Sequence, residues 1–169
     1  MPLFPAPDHD HRFCVARILA TAEHLCAERA VRLTAQRRRV LEIVSASHTA
    51  IGAYAIMDKL GGGRGRPAPI SIYRALDFLM AQNFVHRLAS RNAYVACSTP
   101  RAAHGAQFLI CERCGTIAEL SDSAVDEAII EAAKHARFAV TRRLVEVAGI
   151  CAYCSGEGSH HAPCLASSK

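Results

Sequence analysis

The 169-residue sequence has no apolar run approaching the roughly 20 residues that a membrane-spanning helix needs. Its amino terminus, MPLFPAPDHDHRF, lacks a basic start followed by an apolar stretch, so it does not read as a secretory signal. Together these absences predict a cytoplasmic chain with no membrane partner, in a compartment where thiols stay reduced and paired cysteines more often bind metal than bridge. There is no HExxH or comparable catalytic signature and no internal repeat, so neither an enzyme with a small-molecule substrate nor a solenoid is expected.

What is present is a substantial apolar content, 51 %, enough for a packed core in one large or two small domains. The charge is unevenly divided. Residues 1–100 hold 13 Lys/Arg against 7 Asp/Glu, and residues 101–169 hold 7 against 8. The basic first half is therefore the place to look for a nucleic-acid contact.

The pattern along the chain predicts an α+β protein. Residues 1–11 are rich in Pro, Asp and His and are expected to be disordered. Apolar residues at helical spacing run from Arg12 to Arg29, through Val15, Ile18, Leu19, Ala22, Leu25 and Cys26. Cys14 and Cys26 read as packing residues of that helix. Thr34 is placed to cap a second helix ending near Val44, and Gly52–Leu60 reads as a short third one. GGGRGRPAP (61–69) is a loop. Ser71 then starts a fourth helix with Ile72, Ala75, Leu76 and Leu79 buried and Arg74 and Asp77 pointing outward, stopped by Asn83. FVHRL (84–88) and AYVAC (93–97), joined through Arg91-Asn92, form a hairpin. Helices followed by a hairpin are the pattern of a winged helix-turn-helix module over residues 12–97, whose last helix enters the major groove. A hinge spans 98–105. Residues 106–154 read as a small α/β domain: strand 107–111, knuckle, strand 116–120, helix 122–136 and strand 138–150. The tail, 155–169, is expected to be flexible.

Two cysteine pairs carry the clearest chemistry. Cys111-Glu-Arg-Cys114 is followed, after 36 intervening residues, by Cys151-Ala-Tyr-Cys154. A CxxC turn presents two thiolates to one ion, and zinc wants four such donors in a tetrahedron. The gap exceeds that of a simple zinc ribbon, but a strand, a helix and a strand can bring the chain back to its start. Redox dithiols and disulfides are the alternatives, and no thioredoxin-like context surrounds either pair. A closed four-cysteine site leaves no position for substrate and acts as a staple. A second set of ligand-type residues, His86, Cys97, His104 and Glu119, lies near the junction. Singly each reads as a surface or packing residue. Together they offer N, S, N and O donors, which suit zinc and also accept iron or cobalt.

The stretches Leu33-Thr34-Ala35-Gln36-Arg37, Ser71-Ile72-Tyr73-Arg74-Ala75-Leu76, Asn92-Ala93-Tyr94-Val95-Ala96-Cys97, Phe108-Leu109-Ile110-Cys111-Glu112-Arg113-Cys114-Gly115 and Glu146-Val147-Ala148-Gly149-Ile150-Cys151-Ala152-Tyr153-Cys154 resemble the ferric-uptake-regulator family, in family order, over about Arg12 to Cys154. The branch most resembled is that of the zinc uptake regulators, through Tyr73–Leu79, Phe84–Arg87 and Asn92–Tyr94. The iron branch carries His-His-Asp-His where this chain has Arg101-Ala102-Ala103-His104, so only one of those histidines is present.

The resemblance implies a homodimeric repressor of zinc-uptake genes that binds double-stranded operator DNA, with two zinc ions per subunit. A structural ion takes Cys111, Cys114, Cys151 and Cys154 in the dimerisation domain, and a regulatory ion takes His86, Cys97, His104 and Glu119. It carries the recognition helix onto residues 71–82, with Tyr54, Ser71, Tyr73 and Arg74 at the DNA. Ser-Ile replaces the more usual Thr-Val at the helix start, with Ser71 expected to keep the capping role. For Tyr73, core packing is the competing expectation. Arg37, Arg38, Arg39, Arg64, Arg66, Arg87 and Arg91 are candidates for phosphate contacts. His160, His161 and Cys164 offer a weak third zinc site. The alternatives are a sensor of iron or manganese, a zinc-dependent enzyme built on the mixed site, and a zinc-knuckle interaction protein without sensing.

Overall fold

The computed structural model describes residues 3–5, 10–61, 67–101, 105–141 and 143–156. Backbone contacts divide the chain into two compact units, Ala6–Ala102 and Ala103–Lys169, the latter joined by Met1–Pro5.

The first unit opens with α1 (His11–Glu28), capped by the Asp10 carboxylate, which accepts the Arg12 N–H at 2.9 Å. It ends in a Schellman turn: Ala30, at φ 52°, lets the Val31 N–H reach the Cys26 carbonyl at 2.9 Å. Next comes α2 (Ala35–Ser45), whose Thr34 hydroxyl accepts the Arg37 N–H at 3.3 Å, as a cap should. Third is α3 (Ala53–Leu60), with Gly52 at its N-cap. The fourth helix, α4, spans Pro69–Ala81 and so begins two residues before the expected Ser71. Pro69 occupies the first helical turn, where its missing N–H costs nothing, and Ala68 is the N-cap. Ser71 is therefore not a cap. Its hydroxyl donates back to the Ala68 carbonyl at 2.7 Å and accepts from Gln36 Nε2 at 3.0 Å. At the other end Asn83, at φ 60°, turns the chain so that the Phe84 N–H bonds the Leu79 carbonyl at 2.8 Å.

The hairpin follows as β1 (Val85–Leu88) and β2 (Ala93–Ala96), antiparallel, with Asn92 at φ 47° in the turn. Ile51, between α2 and α3, adds a single antiparallel bridge to Tyr94 through two 2.9 Å hydrogen bonds, an element with no sequence signal. The core of this unit joins Leu19, Leu25, Leu41, Val44, Ile56, Met57, Ile72, Leu76, Leu79 and Phe84. Cys26 is buried in it, as expected, and Cys14 is half-buried.

The second unit is a three-stranded sheet ordered β4-β3-β5, with β3 (Ala106–Cys111), β4 (Ile117–Leu120) and β5 (Leu144–Gly149). β3 pairs antiparallel with β4 and parallel with β5. The helix α5 (Ser123–His135), capped by Asp122, makes the crossover that a parallel pair requires. β5 is shorter than the expected 138–150. β3 offers six residues for pairing, 106 to 111, and only Leu144–Gly149 find partners. Phe138 lies outside the strand and is exposed. A short helix, α6 (Ala152–Ser155), closes the described chain. Phe4, in a stretch expected to be disordered, packs against Cys111, Cys151 and Cys154. Among the described residues no helix is long and apolar enough to cross a membrane.

Candidate metal centres and nucleic-acid surface

The parallel register of β3 and β5 explains how two knuckles so far apart in sequence meet. Cys111 faces Gly149, so Cys151 emerges two residues past the end of the pair, beside the start of the first knuckle. The Glu112 N–H bonds the Gly149 carbonyl at 2.8 Å and fixes this alignment. The first knuckle turns on Gly115, whose φ of 74° suits glycine, with its N–H on the Cys111 carbonyl at 2.9 Å. The second is the first turn of α6, with the Cys154 and Ser155 N–H groups on the Cys151 carbonyl at 2.9 Å.

All four sulfurs lie within 4.8 Å of one another, with Cys114 Sγ and Cys151 Sγ 3.9 Å apart. A tetrahedron of Zn–S bonds has edges of about 3.8 Å, so the cluster fits a zinc ion. The local field favours thiolate. Burial pushes the Cys111 thiol up, but the N–H groups of Cys151, Cys114 and Arg113 and the Cys114 thiol outweigh it and bring it down to about 6. The Cys151 N–H donates to Cys111 Sγ at 3.4 Å. Burial raises the Cys151 thiol, and neutral Cys151 can in turn support a charged Cys111. Arg113 reaches across to donate to the Cys154 carbonyl, tying the two knuckles together. With Cys111, Cys151 and Cys154 buried and Cys114 half-buried, the arrangement leaves little room for a fifth, reacting ligand.

The second ligand set is distributed over both units. His86 on β1 and Cys97 just past β2 belong to the first. His86 faces Val95, and the Cys97 N–H bonds the Phe84 carbonyl at 2.9 Å. The two residues therefore sit diagonally on one face of the hairpin, within diagonal reach across an antiparallel pair. Their ligand atoms lie within 4.8 Å of each other. Cys97 is 2 % exposed and His86 half-buried. Glu119 lies on β4 of the second unit, opposite Phe108 and half-buried. His104, like the tail residues His160, His161 and Cys164, lies outside the described residues.

At the start of β3, the second unit contains a polar cluster without a sequence signal. Gln107, 3 % exposed, donates through Nε2 to the Asp122 carbonyl at 2.9 Å and to Asp126 Oδ1 at 3.2 Å. Asp126 also takes the Gly105 N–H at 3.3 Å and Arg143 at 3.4 Å. A Cβ on Gly105 would stand 2.3 Å from Asp126 Oδ1, so this position is closed to any other residue without rearrangement.

On the first unit, the exposed side of α4 carries Ile70, Tyr73, Arg74 and Asp77. Tyr73 is 39 % exposed, against the competing expectation that it packs inward. Tyr54, on α3, is 69 % exposed. Several of the arginines considered for phosphate are engaged within the unit. The Arg37 guanidinium lies over the Phe78 ring, 3.6 Å from its centre, Arg38 pairs with Glu23 and Arg39 with Glu42, each at 2.8 Å. Arg87 and Arg91 are exposed on the wing, where Arg87 donates to the Asn92 side chain at 2.8 Å. Arg64 and Arg66 lie outside the described residues.

Residues 28–148 match the sequence profile of the Ferric uptake regulator family. The chain is 40 % identical over 138 residues to the Zinc uptake regulation protein of Escherichia coli (strain K12), covering 81 % of each. Among solved structures it is similar to a zinc uptake regulator complexed with zinc and DNA, with a TM-score of 0.79, 38 % identity and coverage of 85 % of this chain and 96 % of that one. It is also similar to holo XcZur, with a TM-score of 0.77, 40 % identity and coverage of 83 % and 98 %.

Proposed function

The chain belongs to the ferric uptake regulator family, and we propose that it is a zinc-responsive transcriptional repressor, binding operator DNA as a zinc-loaded homodimer and repressing zinc-uptake genes. The observation that carries this reading is the likeness, at 38 % identity over 85 % of the chain, to a regulator solved with both zinc and DNA.

Two zinc ions per subunit are proposed. The first is held by Cys111, Cys114, Cys151 and Cys154, and the mutual approach of their sulfurs supports it. Its closed thiolate coordination makes it a staple for a small unit. The second, regulatory ion is assigned to His86, Cys97, His104 and Glu119. The placement of His86 and Cys97 on one hairpin face supports the first half of this set. Its donors come from the wing, the hinge and β4, so its occupancy biases the equilibrium between DNA-competent and incompetent arrangements. Dimerisation is assigned to the second unit. In support, β5 is an edge strand, Val147 on it and Ile150 just past its end are each 49 % exposed, and α5 has no fully buried residue. An edge this apolar needs a cover.

At the DNA, Arg74 is assigned a base contact and Tyr54 and Tyr73 supporting contacts, while Ser71, held by Gln36 and Ala68, shapes the start of the helix. The test is operator binding against buffered free zinc, iron(II) and manganese(II), with metal counted before and after mild chelation. Tight binding that follows free zinc and is lost on removal of one of two ions is the expected result. Switching by iron or manganese at their buffered levels, or binding indifferent to all three, overturns the zinc assignment.

A further inference from the structure

Ile70 is the one large side chain of α4 whose placement neither the fold nor the contacts assigned above account for. It is 60 % exposed and is not among the residues that pack against the core of its unit. It stands in the first turn of the helix, directly after Pro69. Residues three and four apart on a helix are surface neighbours, so Ile70 shares a patch with Tyr73 and Arg74. The opposite stripe, Ile72, Ala75, Leu76 and Leu79, is buried, which fixes the rotation of the helix and leaves Ile70, Tyr73, Arg74 and Asp77 outward. Asp77 marks the end of this surface that a phosphate backbone would repel. The amino-terminal end, with Ile70 and Arg74, is the end that recognition helices present to base edges.

We propose that Ile70 is a specificity-determining residue that reads the C5-methyl group of a thymine in the operator major groove. The inference rests on the reading of α4 as the recognition helix. Four residues of helix rise about 6 Å, and base pairs are spaced about 3.4 Å apart, so the thymine lies within about two base pairs of the one contacted by Arg74. A methyl is the feature that distinguishes thymine from the other bases to an apolar side chain, whereas Arg74 reads hydrogen-bond acceptors. The neighbouring pair thus reads two different chemistries within about two base pairs.

The experiment uses the full-length zinc-loaded protein and the duplex it selects from a random library. Each thymine of one half-site is replaced in turn by deoxyuridine, which removes only the methyl. One substitution should weaken wild-type binding by about fourfold, the equilibrium equivalent of burying one such carbon. That position should fall within two base pairs of the one whose substitution loses its effect in Arg74→Ala. Ile70→Ala, on an exposed helical site, should fold and melt as wild type, bind the thymine duplex about fourfold more weakly, and no longer respond to deoxyuridine there. Wild-type binding insensitive to every deoxyuridine, or a sensitivity that persists unchanged in Ile70→Ala, overturns the inference while leaving the repressor reading intact. Failure to select any duplex in a zinc-dependent way overturns the repressor reading itself.

Discussion

Replacing Cys111 by serine removes one of four thiolates from the centre of the second unit, and the size of the effect can be worked from what else holds that unit together. Among the described residues of that unit, Phe108 is the only large side chain less than 2 % exposed. The other buried positions are few: Ala106, Gln107, Ile110, Ile117, Ala118 and the cysteines themselves. A core of this size supplies little on its own. Structural zinc contributes about 10–16 kcal/mol in small metal-folded domains, so a proportionate loss of one ligand is about 3–4 kcal/mol. Typical domain stabilities are about 5–15 kcal/mol, and a unit this poor in core belongs at the lower end. A loss of that size lowers the melting temperature of a small domain by roughly 15–30 °C. The assay is zinc counting on purified Cys111→Ser together with thermal unfolding followed by circular dichroism. The first unit, with its own apolar core, provides an internal reference and should melt where it does in the wild type. A soluble Cys111→Ser protein that keeps its full zinc and its melting profile would refute the staple. Loss of both transitions together would refute the separate stability of the first unit.

Cys97→Ser should give a folded protein that retains the four-cysteine zinc, loses the second ion, and binds operator without regard to free zinc; unchanged zinc dependence removes Cys97 from the sensing set. Arg74→Ala should cost about 1–3 kcal/mol in operator binding and relax selectivity at one position, whereas Arg91→Ala should weaken all sequences alike and reduce the salt slope by about 1. Loading the four-cysteine site at pH 7 should release fewer than four protons per zinc, because Cys111, at about 6, is already largely thiolate there. The count should rise as the pH falls through 6, and a pH-independent four would contradict the field around Cys111. Arg37→Ala should destabilise the fold by about 1–3 kcal/mol through the lost ring contact and hydrogen bond, yet leave the salt slope of DNA binding unchanged; the reverse outcome would make Arg37 a phosphate contact.

Where the sequence announced the fold, it did so through periodicity. The stripes of α1, α2 and α4 are the same apolar positions that form the core. The start of α4 was missed by two residues because Pro69 reads as a loop residue when it follows a glycine run, although proline is also a favoured first helical residue. The length of β5 was overestimated for a different reason. Phe-Ala-Val at 138–140 has strand-like composition, but a strand exists only where it has a partner, and β3 provides six residues. The Ile51–Tyr94 bridge is a single long-range contact without local pattern. The four-cysteine cluster was legible as a set because CxxC spacing is local chemistry, while its closure depends on a parallel register that no spacing reveals. His86 and Cys97 could be paired from the hairpin alone, since the turn fixes which residues share a face. The clamp of Gly105, Gln107, Asp126 and Arg143 was not legible, because none of its residues is unusual until the fold brings them together.

The arginines illustrate how far composition can mislead about an interface. The excess of basic residues in the first hundred positions pointed to nucleic acid, but charge in a sequence is not charge available to a phosphate. Arg38 and Arg39 face carboxylates at 2.8 Å, and Arg37 is stacked on an aromatic ring. Exposed ion pairs of this kind hold little energy and can be exchanged for a phosphate, so Arg38 and Arg39 remain recruitable. The stacked guanidinium is different: moving Arg37 to DNA would forfeit both the ring and the Arg32 carbonyl it bonds. Among the described candidates, the electrostatic part of binding therefore falls on the wing and on pairs that must first be broken, which limits non-specific attraction. The short outward face of α4 then has to supply a larger share of the discrimination, by direct contact with bases rather than by charge.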